Sequence, residues 1–347
     1  MIRRFLASVG VLALVIALVS LAPAPVAGQV QKAVAKTSPH TQWGDPDLQG
    51  IWASNSATPL ERPKQLAGRQ ALTNQEVAAL QKRAAELFDG ETDAAFGESV
   101  FEAALADAKS FKSRDAGTGN YNQFWLVNRW FDNRTSLIVD PSDGRIPTLT
   151  PEAQKRQGER TEYGRLHPAD GPEDRSLGER CIGRTLPMTG RGYNSNYQIF
   201  QAPGYVAINM EMMHDTRIIP LDGRPHIDND IRGYMGDSRG HWEGNTLVVE
   251  TTNLKGGRNN DEASENLRLI ERFTRVDAET LHYEYTNNDS TTWTRPWTAM
   301  IIMKPAPGTG YVYEFACHEG NHGMVGILSG HRAQEKAAEE AAKKGSN

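Results

Sequence analysis

Between Tyr197 and Met303 the chain is cut into short runs of aromatic and β-branched residues, each ended by a turn former, and this cadence limits the fold most. The runs are Tyr197–Gln201 before Pro203-Gly204, Tyr205–Met213, Thr246–Thr252 after Glu243-Gly244-Asn245, Leu267–Val276, Thr280–Thr286 and Trp293–Met303. Thr135–Val139, before Pro141-Ser142-Asp143-Gly144, and Tyr311–Cys317 read the same way. Short strands joined by short turns pair antiparallel, and they close into a barrel, a lipocalin-like one included, or stack as a sandwich.

Helical signals concentrate in the N-terminal third, about residues 73–161. Thr73 and Glu76 form a T-x-x-E capping box, after which Val77, Leu80, Ala84 and Leu87 recur at helical spacing. Glu98–Lys112 places Phe101, Leu105, Ala108 and Phe111 on one stripe, and Thr150-Pro151-Glu152 starts a third helix with proline at its first position. The predicted class is α+β, mainly antiparallel β.

The flanks read differently. Met1-Ile2-Arg3-Arg4, the apolar run Phe5–Leu21 and the small, proline-rich Ala22–Gly28 predict a signal peptide over residues 1–28 and a secreted or periplasmic protein with no membrane partner afterwards. Residues 29–42 form a flexible lead and 43–333 a single β-rich domain, opened by a strap from Trp43 to Trp52 that its tryptophans pin to the core. The Ala-, Glu- and Lys-rich tail, 334–347, is expected to be solvated and without chemistry.

Formal charge is -5 over 347 residues, and losing Arg3 and Arg4 with the leader brings it to about -7. With no basic tract, nucleic acid and anionic membrane are poor partners, which leaves a small molecule. The two cysteines, Cys181 and Cys317, predict one disulfide in an oxidising compartment, a catalytic thiol being the competing reading.

Cys317-His318-Glu319-Gly320-Asn321-His322 contains H-E-x-x-H, the zinc-peptidase spacing that needs both imidazoles on one helical face. Here the motif follows an expected strand and holds Gly320, with Gly323 and Gly326 close behind, and each glycine weakens a helix by about 1 kcal/mol. Val325 and Leu328 stand where an extended motif has Gly and His. A zinc hydrolase remains only as an alternative, and no metal ligand set is assigned. Phosphate loops, dinucleotide fingerprints and C-x-x-C pairs do not occur, so no cofactor is expected.

Three polar stretches carry the candidate chemistry. His214 and Asp215, with Arg217 nearby, offer a base, a carboxylate and an anion clamp, provided the chain turns there. Gly236–Gly244 reads as a loop presenting Asp237, Arg239, His241 and Trp242 at a barrel mouth, with Ser238 lacking a G-x-S-x-G elbow. His318 and Glu319 emerge beside Cys317, where a crosslink would fix them. Alternation also pairs His282 with Glu284 and Glu314 with His318 on strand faces, lining a polar cavity if those faces point inward.

Trp43–Trp52 (W-G-D-P-D-L-Q-G-I-W), Thr58–Pro63, Glu179-Arg180-Cys181, His214-Asp215 with Arg217, Gly236–Gly244 and Cys317–Asn321 resemble, across about residues 43–333, a large family of secreted proteins from environmental bacteria. The resemblance implies extracellular, glutathione-independent cleavage of β-O-4 aryl ethers in lignin-type dimers, with the chain working alone or as a homo- or heterodimer. Catalytic candidates taken from the residues are His214, Asp215, His241, His318 and Glu319. Tyr197, Arg217, Asp237, Arg239 and Trp242 are candidates for holding an aromatic substrate. A non-enzymatic small-molecule-binding barrel is the alternative.

Overall fold

Along Thr280–Asn288 every second residue is buried, Leu281, Tyr283, Tyr285 and Asn287, and the facing strand Trp297–Pro305 buries Trp297, Ala299, Ile301 and Met303. A period of two with one apolar set is what a sheet with one dry face requires. The computed structural model describes residues 39–87, 99–106, 128–183, 186–189, 193–255, 263–308 and 311–345. The predicted leader and most of the lead lie outside these residues.

Among them the strands are β1 (Gly50–Ala53), β2 (Ile138–Asp140), β3 (Asn196–Ala202), β4 (Tyr205–Met210), β5 (Thr216–Pro220), β6 (Asp237–Glu243), β7 (Thr246–Thr252), β8 (Arg268–Asp277), β9 (Thr280–Asn288) and β10 (Trp297–Pro305). They hydrogen-bond in the order β5-β4-β3-β1-β10-β9-β8-β7-β6, with β2 also on β10, and all their ladders are antiparallel. The two ends of this path, β5 and β6, lie beside one another, which makes the sheet a nearly closed barrel. Closure is tight at Gly240, where an added Cβ would meet Leu221 Cδ2 at 2.7 Å and Ile219 Cγ2 at 2.9 Å. The barrel interior is one apolar cluster in which the rings of Phe273, Tyr283, Tyr285, Trp297 and Trp293 succeed one another at centroid distances of 4.9, 5.6, 6.0 and 5.6 Å.

The helices are α1 (Asn74–Leu87), α2 (Ser99–Leu105), α3 (Pro151–Leu166) and α4 (His322–Gly345). The capping box at α1 is formed: Glu76 N donates to Thr73 Oγ1 (3.2 Å) and Thr73 N to Glu76 Oε2 (2.8 Å). Thr150 caps α3 by accepting from Ala153 N. α1 and α2 bury Leu80, Ala84, Phe101 and Ala104 in a second, smaller cluster. The predicted helix Glu98–Lys112 is described only as far as Ala106. Trp52 is buried and its Nε1 donates to Leu48 O at 2.9 Å, so the strap is pinned from within, and its last residues form β1. No helix among the described residues is long and apolar enough to cross a membrane.

Two expectations are corrected. Gly236–Gly244 is not a loop: Asp237–Glu243 is β6, joined to β7 by the two-residue turn Gly244-Asn245, with Glu243 opposite Thr246 and Gly244 at φ 58°. Glycine supplies the positive φ that such hairpins use. Tyr311–Cys317 is not a strand. β10 ends at Pro305, and the segment that follows pairs with no strand, leaving Tyr311 and Tyr313 exposed. The Glu314 and His318 alternation falls with it.

Candidate functional site

The Glu211–Asp215 turn between β4 and β5 is backbone-strained. Met213 and His214 have φ of 63° and 58°, in the left-handed region that costs a side chain about 1 kcal/mol or more. Among the described residues, Cys181 (55°), Asn194 (47°) and Asn253 (55°) are the other non-glycine residues with positive φ. Met213, His214, Cys181 and Asn194 lie near one another at one end of the barrel. Asn194 lies two residues before Asn196, whose backbone accepts from Glu211 N at 2.9 Å and donates to Glu211 Oε2 at 3.2 Å.

Cys181 reaches the same end through its own segment. Ser176 and Glu179 bond reciprocally, Ser176 N to Glu179 Oε2 (2.9 Å) and Glu179 N to Ser176 Oγ (3.2 Å), and fix the turn that presents the cysteine. Burial works to raise the Glu179 pKa, but these bonds and the Arg175 guanidinium outweigh it and hold the carboxyl below its usual range. The predicted disulfide is formed, Cys181 to Cys317, with Cα atoms 5.5 Å apart. Asn321 Nδ2 adds a second tie to Glu179 O at 3.0 Å. On the other flank the backbone of Gly183 approaches the strained turn so closely that a Cβ there would sit 3.0 Å from Asp215 Oδ2, and one at Gly178 would touch Met213 Cε at 4.0 Å. The crosslink therefore joins the His214-Asp215 turn, through residues 178–183, to the turn carrying His318 and Glu319.

This rim holds two exposed imidazoles, His214 and His318, the exposed carboxylate Glu319 and the half-buried Asp215. It also holds Glu211, which sequence reasoning missed. Glu211 is 7 % exposed, and desolvation raises its pKa despite the two hydrogen bonds from Asn196. A carboxyl whose neutral form is favoured by burial keeps its proton to a higher pH than an ordinary glutamate and is the better proton donor. The signal was faint: a lone acid inside the apolar run Asn209–Met213.

His241 does not join this group. It points outward from β6, 62 % exposed at its side chain, with Nε2 3.2 Å from Glu243 Oε1, whose other oxygen accepts from Arg272 (2.8 Å). Gly240 packs on Ile219 and Leu221, beyond the C-terminal half of β5, whereas His214 precedes the N-terminus of that strand. The rise of β5 alone separates the two ends by roughly 17 Å at about 3.3 Å per residue over 5 residues.

The substrate-binding candidates have internal partners. Arg217 points into the barrel and meets Glu271 of β8, Nη2 to Oε2 at 2.7 Å and Nη1 to Oε1 at 3.0 Å, with Ser238 Oγ and Thr251 Oγ1 at 3.3 and 3.4 Å. Tyr283 OH donates to Glu271 Oε1 at 2.8 Å and accepts from Met188 N at 3.0 Å. Burial alone would lower the Arg217 pKa, but the Glu271 carboxylate raises it, so the guanidinium stays charged. Burial, then Glu271, pushes the Tyr283 phenol well up, so it stays neutral. Asp237 pairs with Arg239 (2.7 Å) and His226 (2.7 Å), pinning the loop before β6 to its outer face. Tyr197 is buried, its OH 3.3 Å from Thr189 O, and Trp242 packs half-buried on the core. His282 faces outward, yet burial, helped by Arg134, lowers its pKa.

H-E-x-x-H has no shared helical face here, because His318 lies in the turn and His322 is the first residue of α4. Compared with family models, curated proteins and solved structures, the chain matches none.

Proposed function

We propose that this protein is an exported enzyme, a lyase or hydrolase, that cleaves β-O-4 aryl ether bonds in small lignin-type aromatic compounds by acid–base chemistry at the disulfide-bound rim. The observation that carries the reading is the strained Met213-His214 turn held against the Cys181–Cys317 crosslink, which sets His214, Asp215, Glu211 and His318 around one end of the barrel. Left-handed conformations at non-glycine residues persist where the surroundings enforce them, and they cluster at active sites. One imidazole, oriented by Asp215, takes the phenol proton while the α-hydroxyl leaves as water on a proton from Glu211; the resulting quinone methide loses its Cβ proton to give an enol ether, which water hydrolyses to the free phenol and a carbonyl at Cβ. The motif resemblance described above supports the substrate class.

The test is direct incubation of the purified, disulfide-intact chain with a phenolic β-ether dimer, alone and with a candidate partner subunit, following release of the phenol. Release that falls about 10²-fold or more in His214→Ala or Glu211→Gln supports the reading. No release under any condition removes it.

A second reading, a binding barrel without turnover, is favoured by Asn287 Nδ2 and Trp297 Nε1. These buried donors have no hydrogen-bond partner and stand opposite each other in the β9/β10 register, where an oxygen-bearing aromatic ligand would satisfy them. On that reading, ligand affinity survives replacement of His214 and His318 together.

A further inference from the structure

Away from the rim, α4 returns to the loop that follows α3. His331 and Glu335, one turn apart on α4, present their side chains on one face toward Asp170. His331 Nε2 lies 3.1 Å from Asp170 Oδ1 and 3.4 Å from Glu335 Oε1, and one oxygen of each carboxylate and the ring nitrogen all fall within 4.8 Å of one another. The His331 side chain is only 15 % exposed. We infer that Asp170, His331 and Glu335 form a binding site for a divalent transition-metal ion of the zinc type, which clamps α4 to the α3 loop.

The geometry asks for little movement. In tetrahedral zinc sites with ligand bonds of roughly 2.0–2.2 Å, neighbouring donor atoms stand roughly 3.3–3.5 Å apart, close to the two separations found here. A single imidazole N–H serves two carboxylates poorly, whereas a cation between the three atoms satisfies all of them.

The surroundings follow the usual second layer of a metal site. The other oxygen of Asp170 is held by His167 Nδ1 at 2.6 Å, and the other oxygen of Glu335 by Arg332 Nε at 3.0 Å. Arg332 also donates to Ala169 O at 3.3 Å, and its Nη2 lies 3.9 Å from Asp170 Oδ1. One arginine against two carboxylates leaves net negative charge for a cation. Three protein ligands leave a fourth position for water. The inference is independent of the ether-cleaving rim, and it concerns His331 rather than either histidine of H-E-x-x-H.

The experiment is calorimetric titration of the untagged, disulfide-intact chain with zinc chloride, with cobalt(II) absorption as a second readout. One ion per chain, at least tenfold weaker binding in both His331→Ala and Asp170→Asn, unchanged binding in His322→Ala, and a four-coordinate cobalt spectrum lost in the same two variants are expected. Circular dichroism of the metal-free variants checks that they keep their fold, and Asp170→Asn, on an exposed loop, decides the matter should His331→Ala unfold. Absence of stoichiometric binding by the unaltered chain, or binding that survives both site variants, overturns the inference.

Discussion

Arg217 of β5 and Glu271 of β8 meet inside the barrel through two hydrogen bonds, 2.7 and 3.0 Å long, with both side chains at 2 % exposure or less. Removing one partner leaves a buried uncompensated charge, which costs about 3–5 kcal/mol. Arg217→Met and Glu271→Gln should each lose stability on that scale in urea unfolding, whereas the double change Arg217→Met with Glu271→Leu should recover most of it. A double variant as unstable as either single one would contradict this account.

The Cys181–Cys317 bond spans 136 residues, and the chain-entropy model assigns about 5 kcal/mol to a loop of that size. Replacing both cysteines by alanine should lower unfolding stability by an amount approaching that figure. On the proposed function, ether cleavage should fall about 10²-fold as His318 loses its fixed relation to Asp215. Equal turnover by reduced and oxidised protein would place the chemistry elsewhere.

Glu211 gives a pH signature. Its folded pKa is raised, so the fold favours the neutral carboxyl; that contribution is full below the unfolded pKa and disappears as pH climbs through the folded value. Glu211→Gln should therefore be more stable than the parent at about pH 8 and indistinguishable from it near pH 4, around the ordinary glutamate pKa. Denaturant midpoints at the two pH values measure this, and a variant that gains most in acid would reverse the sign.

Gly240 lets β6 come close to β5. Gly240→Val drives methyls into Ile219 and Leu221 and should cost about 1–3 kcal/mol, the usual penalty for overpacking. Thermal unfolding with hydrogen exchange should show β5 and β6 opening first.

His241 makes a useful control. Its pair with Glu243 is exposed, and such pairs contribute at most about 1 kcal/mol. His241→Ala should leave stability within about 0.5 kcal/mol and turnover unchanged; a large drop in turnover would return this side chain to the site.

What was legible in the residues follows from where local chemistry decides the outcome. Thr73 with Glu76 and Thr150 with Pro151 fix helix starts through bonds made within one turn, so both starts were readable. β7 was readable from end to end because valine, leucine and threonine fill it between a tight turn and Asn253. β6 was misread because its outer face carries Asp237, Arg239, His241 and Glu243, polar residues that pair on the surface of a strand as readily as they decorate a loop. Tyr311–Phe315 has strand composition without a strand, since pairing depends on a partner strand that no local pattern reports. In the candidate site, Cys181, Cys317, His214 and His318 stood out by residue type. Glu211 and the approach of Gly183 to Asp215 were hidden, because desolvation and backbone proximity are properties of the assembled fold. The Arg217–Glu271 contact, 54 residues apart along the chain, was hidden for the same reason.

The covalent link between Cys181 and Cys317 makes the local thiol–disulfide balance a condition for completing the rim. In a reducing milieu the turn bearing His318 would be tethered to its neighbour only by weaker ties such as the amide of Asn321, so a newly made copy would carry its acid and base unaligned. On the proposed function, maturation of the chemistry would in that sense be coupled to arrival in an oxidising place.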